Sequence, residues 1–206
     1  MLNILMGHLP QSVEVSGKEY PINWGFRTGI QFEGIARNTE LGEQEKIWRI
    51  LNLYYPKVPE DLQGAMEKVL WFYRCGKTSD EPDKKQKRYR QKDSDAPAYA
   101  FLQDAPYIYA DFKNQYGIDL AELKESLHWW KFSALFESLG EETKIGKIMY
   151  YRKVRITGMP KERRAFINEM KKLYRIQHVD SGNHRMTLEE RNHRWRNYVI
   201  SRYEKK

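Results

Sequence analysis

Three histidines near the end of the chain, His178, His184 and His193, with Asp180 after the first, are the residue types that could ligate a metal or serve a nuclease. The pairs Asn183-His184 and Asn192-His193 have the composition of a histidine–asparagine nuclease motif. Such a site also needs a hairpin frame and acidic partners, which the surrounding residues do not supply, so these side chains read as polar surface groups on a loop and a helix. His128 stands beside Trp129-Trp130; a lone histidine on an apolar helix is expected to be a hydrogen-bonded packing residue. Cys75, the only cysteine, closes the apolar stretch Val69-Leu70-Trp71-Phe72-Tyr73 and reads as a small buried residue rather than a nucleophile. Glu141-Glu142 reads as a solvated pair between helices. There is no glycine-rich phosphate loop, no paired-cysteine spacing and no nucleophile elbow. No enzyme activity, cofactor or metal is expected.

The elements that would carry these residues are mainly helical. Val13 to Ile22 alternates apolar and polar residues around Ser16-Gly17, a β-hairpin pattern in which Pro21 restricts pairing to an edge. Phe26, Ile30, Glu33 and Arg37 then share a helical stripe. Ile47, Ile50, Leu51 and Tyr54 form a second, ended by Pro56; Leu62, Ala65, Met66, Val69 and Phe72 form a third, closed by Gly76. These make a first unit over residues 1–76. Residues 77–98 are rich in Lys, Asp, Glu, Gln, Ser and Pro and read as a charged linker. Its basic run, Lys84 to Lys92, is nearly cancelled by Asp80, Glu81, Asp83, Asp93 and Asp95.

A second helical unit is expected over 99–178. Ala105, Ile108, Tyr109, Phe112 and Tyr116 form a stripe terminated by Gly117. Asp119 and Glu122 have capping-box spacing, predicting a long central helix from there to Leu139. Thr143 can cap a short helix with Ile145, Ile148 and Met149. Pro160 suits the first position of another, with Phe166, Met170, Leu173 and Tyr174 facing inward. Residues 179–206 follow a polar break; Thr187 and Glu190 fit a capping box for a basic amphipathic helix with Leu188, Trp195, Tyr198 and Val199 on one face. The predicted fold is mainly α: two small helical units joined by a charged linker, with a short N-terminal β-hairpin.

Charge is uneven. The chain carries a net +8, but Arg152 to Lys206 holds sixteen Lys/Arg against six Asp/Glu, and residues 1–151 hold twenty against twenty-two. The basic last quarter could meet nucleic acid or acidic partner faces. No recognition-helix or zinc-finger pattern accompanies it, which leaves nucleic acid as the weaker reading. The opening Met1 to Met6 lacks a basic region and is too short for a signal peptide, and no apolar run reaches membrane-spanning length. A cytoplasmic protein with no membrane partner is expected.

One set of motifs resembles a known family. Tyr107-Ile108-Tyr109-Ala110-Asp111-Phe112, Gln115-Tyr116-Gly117-Ile118-Asp119-Leu120 and Leu127-His128-Trp129-Trp130-Lys131-Phe132 are similar to the "gp-fifteen" family of siphophages and prophages of Gram-positive bacteria. Tyr20-Pro21-Ile22-Asn23, Phe26-Arg27, Phe32-Glu33, Thr143-Lys144-Ile145, Lys147-Ile148-Met149, Tyr151-Arg152 and Lys171-Lys172-Leu173-Tyr174 extend the resemblance across about residues 13–174, interrupted by the linker. Of these, the histidine–double-tryptophan block is the most specific. The resemblance implies a tail assembly chaperone of a tailed bacteriophage, acting in the host bacterial cytoplasm and absent from the mature virion. Its implied partner is the tape measure protein, with the major tail (tube) protein and self-association as further contacts. The partner surface is expected around Trp129, Trp130, Phe132 and Phe136, with Tyr107, Tyr109, His128 and the more distant Trp195. Among these Trp130 and Phe132 are expected in the core and Trp129 is expected to be the exposed ring.

Overall fold

The computed structural model describes residues 4, 5, 7–77, 97–123 and 125–177. The charged linker (but for its end residues) and the basic segment 179–206, with His178, Asp180, His184, His193 and Trp195, lie outside the described residues. Among those described, the protein is mainly helical: a two-stranded antiparallel hairpin precedes seven helices.

Strands β1 (Ser12–Val15) and β2 (Lys18–Pro21) pair with Val15 opposite Lys18. Ser16 and Gly17 both take positive φ, 50° and 77°, as a two-residue type I′ turn requires. Val13 and Val15 point into the core and lay the hairpin on the third helix. Helices α1 (Phe26–Arg37), α2 (Glu43–Tyr54) and α3 (Leu62–Tyr73) follow. As expected, Tyr55-Pro56 ends α2. Asp61 caps α3 by accepting the Gly64 amide at 2.9 Å, and the Ser16 hydroxyl donates to the same carboxylate at 2.7 Å. At the other end of α3, the Gly76 amide donates to Trp71 O and the Cys75 amide to Phe72 O, a Schellman closure with Cys75 held at φ 55°.

After the linker come α4 (Phe101–Tyr116), α5 (Trp129–Glu137), α6 (Lys144–Lys153) and α7 (Lys161–Leu173). Gly117, at φ 68°, ends α4, and Thr143 caps α6 by accepting the Gly146 amide. The two segments that the sequence separates at 77–98 share one buried cluster: Val13, Phe26, Leu51, Tyr54 and Phe72 from the first, Phe101, Phe112, Trp129, Phe132 and Ile145 from the second. Packing runs α3 on α2, α2 on α1, α1 on both α4 and α5, α4 on α6, and α6 on α7.

Three expectations fail. Residues 117–123 and 125–128 are not helical, and the predicted central helix is only Trp129–Glu137. Asp119 does accept the amides of Ala121 and Glu122, at 3.1 and 3.3 Å, but that is a local turn. Leu127 and Trp129 are committed instead to an extended seam, in which the Phe26 amide donates to Leu127 O and the Trp129 amide to Trp24 O. On α7, Ile167 rather than Phe166 is buried; Phe166 and Leu173 are exposed, and Met170 and Tyr174 are half-buried. Pro160 is the residue before the first turn rather than in it.

Buried polar groups tie the second segment together. Asp104 accepts the Ala100 amide and meets Arg152 in a fork, with Nη1–Oδ2 at 2.6 Å and Nη2–Oδ1 at 2.8 Å. Arg152 also donates to Ala98 O and Tyr174 O. Removing one side of such a pair strands a charge away from water. Arg152→Ala is expected to cost about 3 to 5 kcal/mol in a denaturant melt. Adding Asp104→Leu should return part of the loss; a second loss that simply adds would show that the two charges do not act as a pair.

Candidate functional site

The histidine–double-tryptophan block is the point at which the chemistry-bearing residues converge, and its geometry is that of a lock. His128 precedes α5. Its Nδ1 accepts the Trp130 amide at 3.1 Å, so the neutral ring carries its proton on Nε2, which lies 3.0 Å from Pro10 O and donates to it. Burial is the main cause that pulls the His128 pKa below its usual value, with Lys131 acting the same way and the Pro10 carbonyl opposing. Trp24 stacks on the imidazole at 5.5 Å and Phe72 meets it edge-on at the same distance.

Both indole N–H groups end on the last turn of α3: Trp129 Nε1 donates to Tyr73 O and Trp130 Nε1 to Phe72 O, each at 2.8 Å. A helix leaves its final carbonyls without intrahelical donors, and a buried indole needs an acceptor, so each group satisfies the other. Trp129 is only 3% exposed. Its ring stacks on Tyr73 and Phe132, meets Phe101 edge-on, and lies against Gly29 of α1, where a methyl group would collide with the indole. The expectation that Trp129 is an exposed partner-binding ring is therefore wrong: its N–H and both faces are used internally. His128 and Phe136 are likewise buried, Phe136 between Tyr99, Phe101 and Phe132.

Of the predicted surface, Tyr107 and Tyr109 remain half-exposed, on α4. The Lys113 ammonium and then the Tyr109 hydroxyl, each donating to Asp119 at 2.9 Å, hold the Asp119 carboxyl low, at about 2. Tyr107 meets Tyr174 edge-on with the Lys144 ammonium 6.0 Å from its ring. Trp195 lies outside the described residues. The Cys75 thiol is half-buried and pushed up by burial, away from a reactive thiolate. Among the described residues no group of three or more His, Cys, Asp or Glu is placed to hold a metal ion, and no helix is long and apolar enough to cross a membrane.

Sequence reasoning passed over the three buried acids. Glu33 accepts the Phe101 amide at 2.9 Å at the start of α4, and Asp111 accepts the Lys144 and Ile145 amides at 3.2 and 2.7 Å at the start of α6. Asp104 completes the set. The signal was present: Asp104 and Asp111 are seven apart on the same face as Phe101, Ile108 and Phe112.

What remains on the surface is apolar groove and charge. Between α2 and α3 a groove is lined by Ile47, Leu62, Gln63, Met66, Glu67 and Leu70, with Ile47 and Leu62 40% and 46% exposed. From Lys144 to Arg175, eleven Lys/Arg face two Asp/Glu.

The fold and these surfaces define a mainly helical protein with an internal aromatic lock and its open surfaces on the outer helices. The chain belongs to the bacteriophage Gp15 protein family, whose model matches residues 5–176. No curated protein and no solved structure matches it.

Two outcomes follow from the lock. Trp129→Ala should cost about 3 to 5 kcal/mol in stability, and Gly29→Ala should also lower the melting temperature because the indole has nowhere to move. For His128, the folded pKa lies below the unfolded one. As pH falls below about 6.5, the unfolded chain takes up a proton that the folded chain refuses, so stability is lost. Melting temperatures compared at about pH 7 and about pH 5 should fall more steeply for the unaltered chain than for His128→Asn, which keeps a capping acceptor without titrating. Equal slopes would show that His128 is not the group responsible.

Proposed function

We propose that this Gp15-family protein is a non-catalytic tail assembly chaperone that binds the tape measure protein and keeps it soluble until the tail tube polymerises. The observation that carries this reading is the groove between α2 and α3. Its lining is almost wholly apolar, and Ile47 and Leu62 stand open to water although the aromatic core beneath is closed. A groove between two helices suits the apolar stripe of a third. A tape measure is a long helical chain whose uncovered stripes would aggregate. The groove is shallow and offers no deep anchor, so each contact is moderate; repeated along a long client, moderate contacts hold it and still yield to displacement. On this reading the protein acts in the host cytoplasm, the major tail (tube) protein displaces it, neighbouring copies meet on the client, and the mature virion lacks it.

A second reading, nucleic-acid binding, is favoured by one observation: the concentration of Lys and Arg between Lys144 and Arg175. It requires an affinity that drops steeply with salt.

Co-expression with a phage tape measure protein tests the first reading. The expected result is a soluble, co-purifying complex, weakened about tenfold in Kd when Ile47 and Leu62 are both replaced by Ser. A tape measure that precipitates regardless, with a salt-sensitive nucleic-acid complex in its place, would transfer the function to the basic face.

A further inference from the structure

The walls of the α2–α3 groove contain a single charged residue, Glu67, and its charge is placed differently from the others of the first segment. Leu62, Met66 and Leu70 stand four residues apart and form one row along α3, with Ile47 on the α2 side. Gln63 and Glu67 each follow a member of that row by one residue, so they run beside it as an exposed outer edge.

The other helical acids of the first segment each pair with a cation of their own helix: Glu33 with Arg37 and Glu43 with Lys46 at 2.8 Å, Glu45 with Arg49 at 2.6 Å. Glu67 has no such neighbour to use. The positions three and four residues to either side of it are Gln63, Gly64, Leu70 and Trp71. Gln63 Nε2 donates to its carboxylate at 3.3 Å, a neutral bond that holds the group along the edge and leaves its charge in place.

Where two helices pack, the residues that border the apolar seam choose the partner by charge. A helix laid on Leu62, Met66 and Leu70 puts the residues flanking its own stripe against Gln63 and Glu67. Lys or Arg there would meet a carboxylate, and Asp or Glu would be held against one. Helix α3 is about 18 Å long, so the seam spans about three turns of such a partner.

We infer that the groove selects among amphipathic helices, taking those whose apolar stripe is bordered by Lys or Arg, and that Glu67 makes the selection. This rests on the groove being the client site of the chaperone reading and adds the client's chemistry to it. A second copy is a poorer occupant, because packing the groove on itself adds a second row with the same acid and no cation. Nucleic acid is poorer still, because the lining is apolar and its charge has the sign of a phosphate.

The test uses the full chain and two Ala-rich helical peptides of about 18 residues with the same leucine stripe, bordered in one by Lys and in the other by Glu. Titration calorimetry at low ionic strength should give a Kd about fivefold lower for the Lys-bordered peptide, with the gap closing as salt is added. Glu67→Gln should level the two affinities, and Glu67→Lys should reverse their order. Replacing Ile47 and Leu62 together by Ser should weaken both peptides about tenfold. Equal affinities for the two peptides, or an order untouched by Glu67→Lys, overturn the inference while the helix site stands. If neither peptide binds, or both bind as well after Ile47 and Leu62 are replaced, the groove takes no helix and the chaperone reading loses its support too. Tighter binding of the Glu-bordered peptide would assign recognition to the basic segment of α6 and α7 and overturn the inference.

Discussion

Two indole N–H groups reaching the last carbonyls of α3 set the constraint around which the rest of the core is arranged. Trp129 and Trp130 are neighbours, so their bonds to Tyr73 O and Phe72 O fix both the position of α5 and its rotation against the end of α3. That placement requires α5 to begin where it does, and His128 supplies the cap that begins it. The same imidazole reaches back to Pro10, while the seam between 24–26 and 127–129 draws in the approach to α1. With α5 set, Phe132 becomes the hub of the stacked rings: Phe26 at 5.1 Å, Phe112 at 5.2 Å and Trp129 at 5.7 Å. Residues far apart in sequence are thus joined by directional bonds inside an apolar cluster, which specifies one packing rather than merely a compact one.

The buried acids obey a related rule. Glu33 and Asp111 each sit at a helix N-terminus, where unbonded amides and the helix dipole favour a negative charge, and Asp104 adds an arginine fork. The compensation differs among them. For Glu33, desolvation outweighs the Phe101 amide and the partly exposed Arg37, and the Asp104 charge adds to it, so its carboxyl is pushed above the usual range. Asp104 takes three donors, the Ala100 amide and both terminal nitrogens of Arg152, and Asp111 takes two backbone amides.

Local pattern was enough for the elements whose signals are local. Ser16-Gly17, Pro56, Gly117 and Thr143 each mark a boundary through their own backbone or side-chain chemistry, and the structure turns or caps there. The misreadings arise where a distant partner decides. Asp119 and Glu122 have a capping pattern, but Leu127 and Trp129 bond to Trp24 and Phe26, and that seam stops any helix from crossing it. Trp129 reads equally well as anchor or core from its neighbours alone; what settles it is Gly29, a hundred residues earlier, whose missing side chain makes room for the ring. The family motif was visible as sequence, and its histidine–double-tryptophan residues lie in the interior.

The helices differ in how firmly they are held. The lock joins α1, α3, α4 and α5 through rings and directional bonds, and α6 is fastened by Ile145, Ile148 and Arg152. Helix α7 buries fully only Ile167, worth about 1.5 to 3 kcal/mol, with Phe166 edge-on to Tyr151 beside it, while a helix of this length is marginal by itself in water. The positive charge of the surrounding segment opposes compaction further. The outermost helix is therefore the described element with the smallest local stability, and each contact it makes acts on that rather than on the whole fold. The rigid aromatic lock keeps its shape, and the weakly held periphery is where local opening costs least.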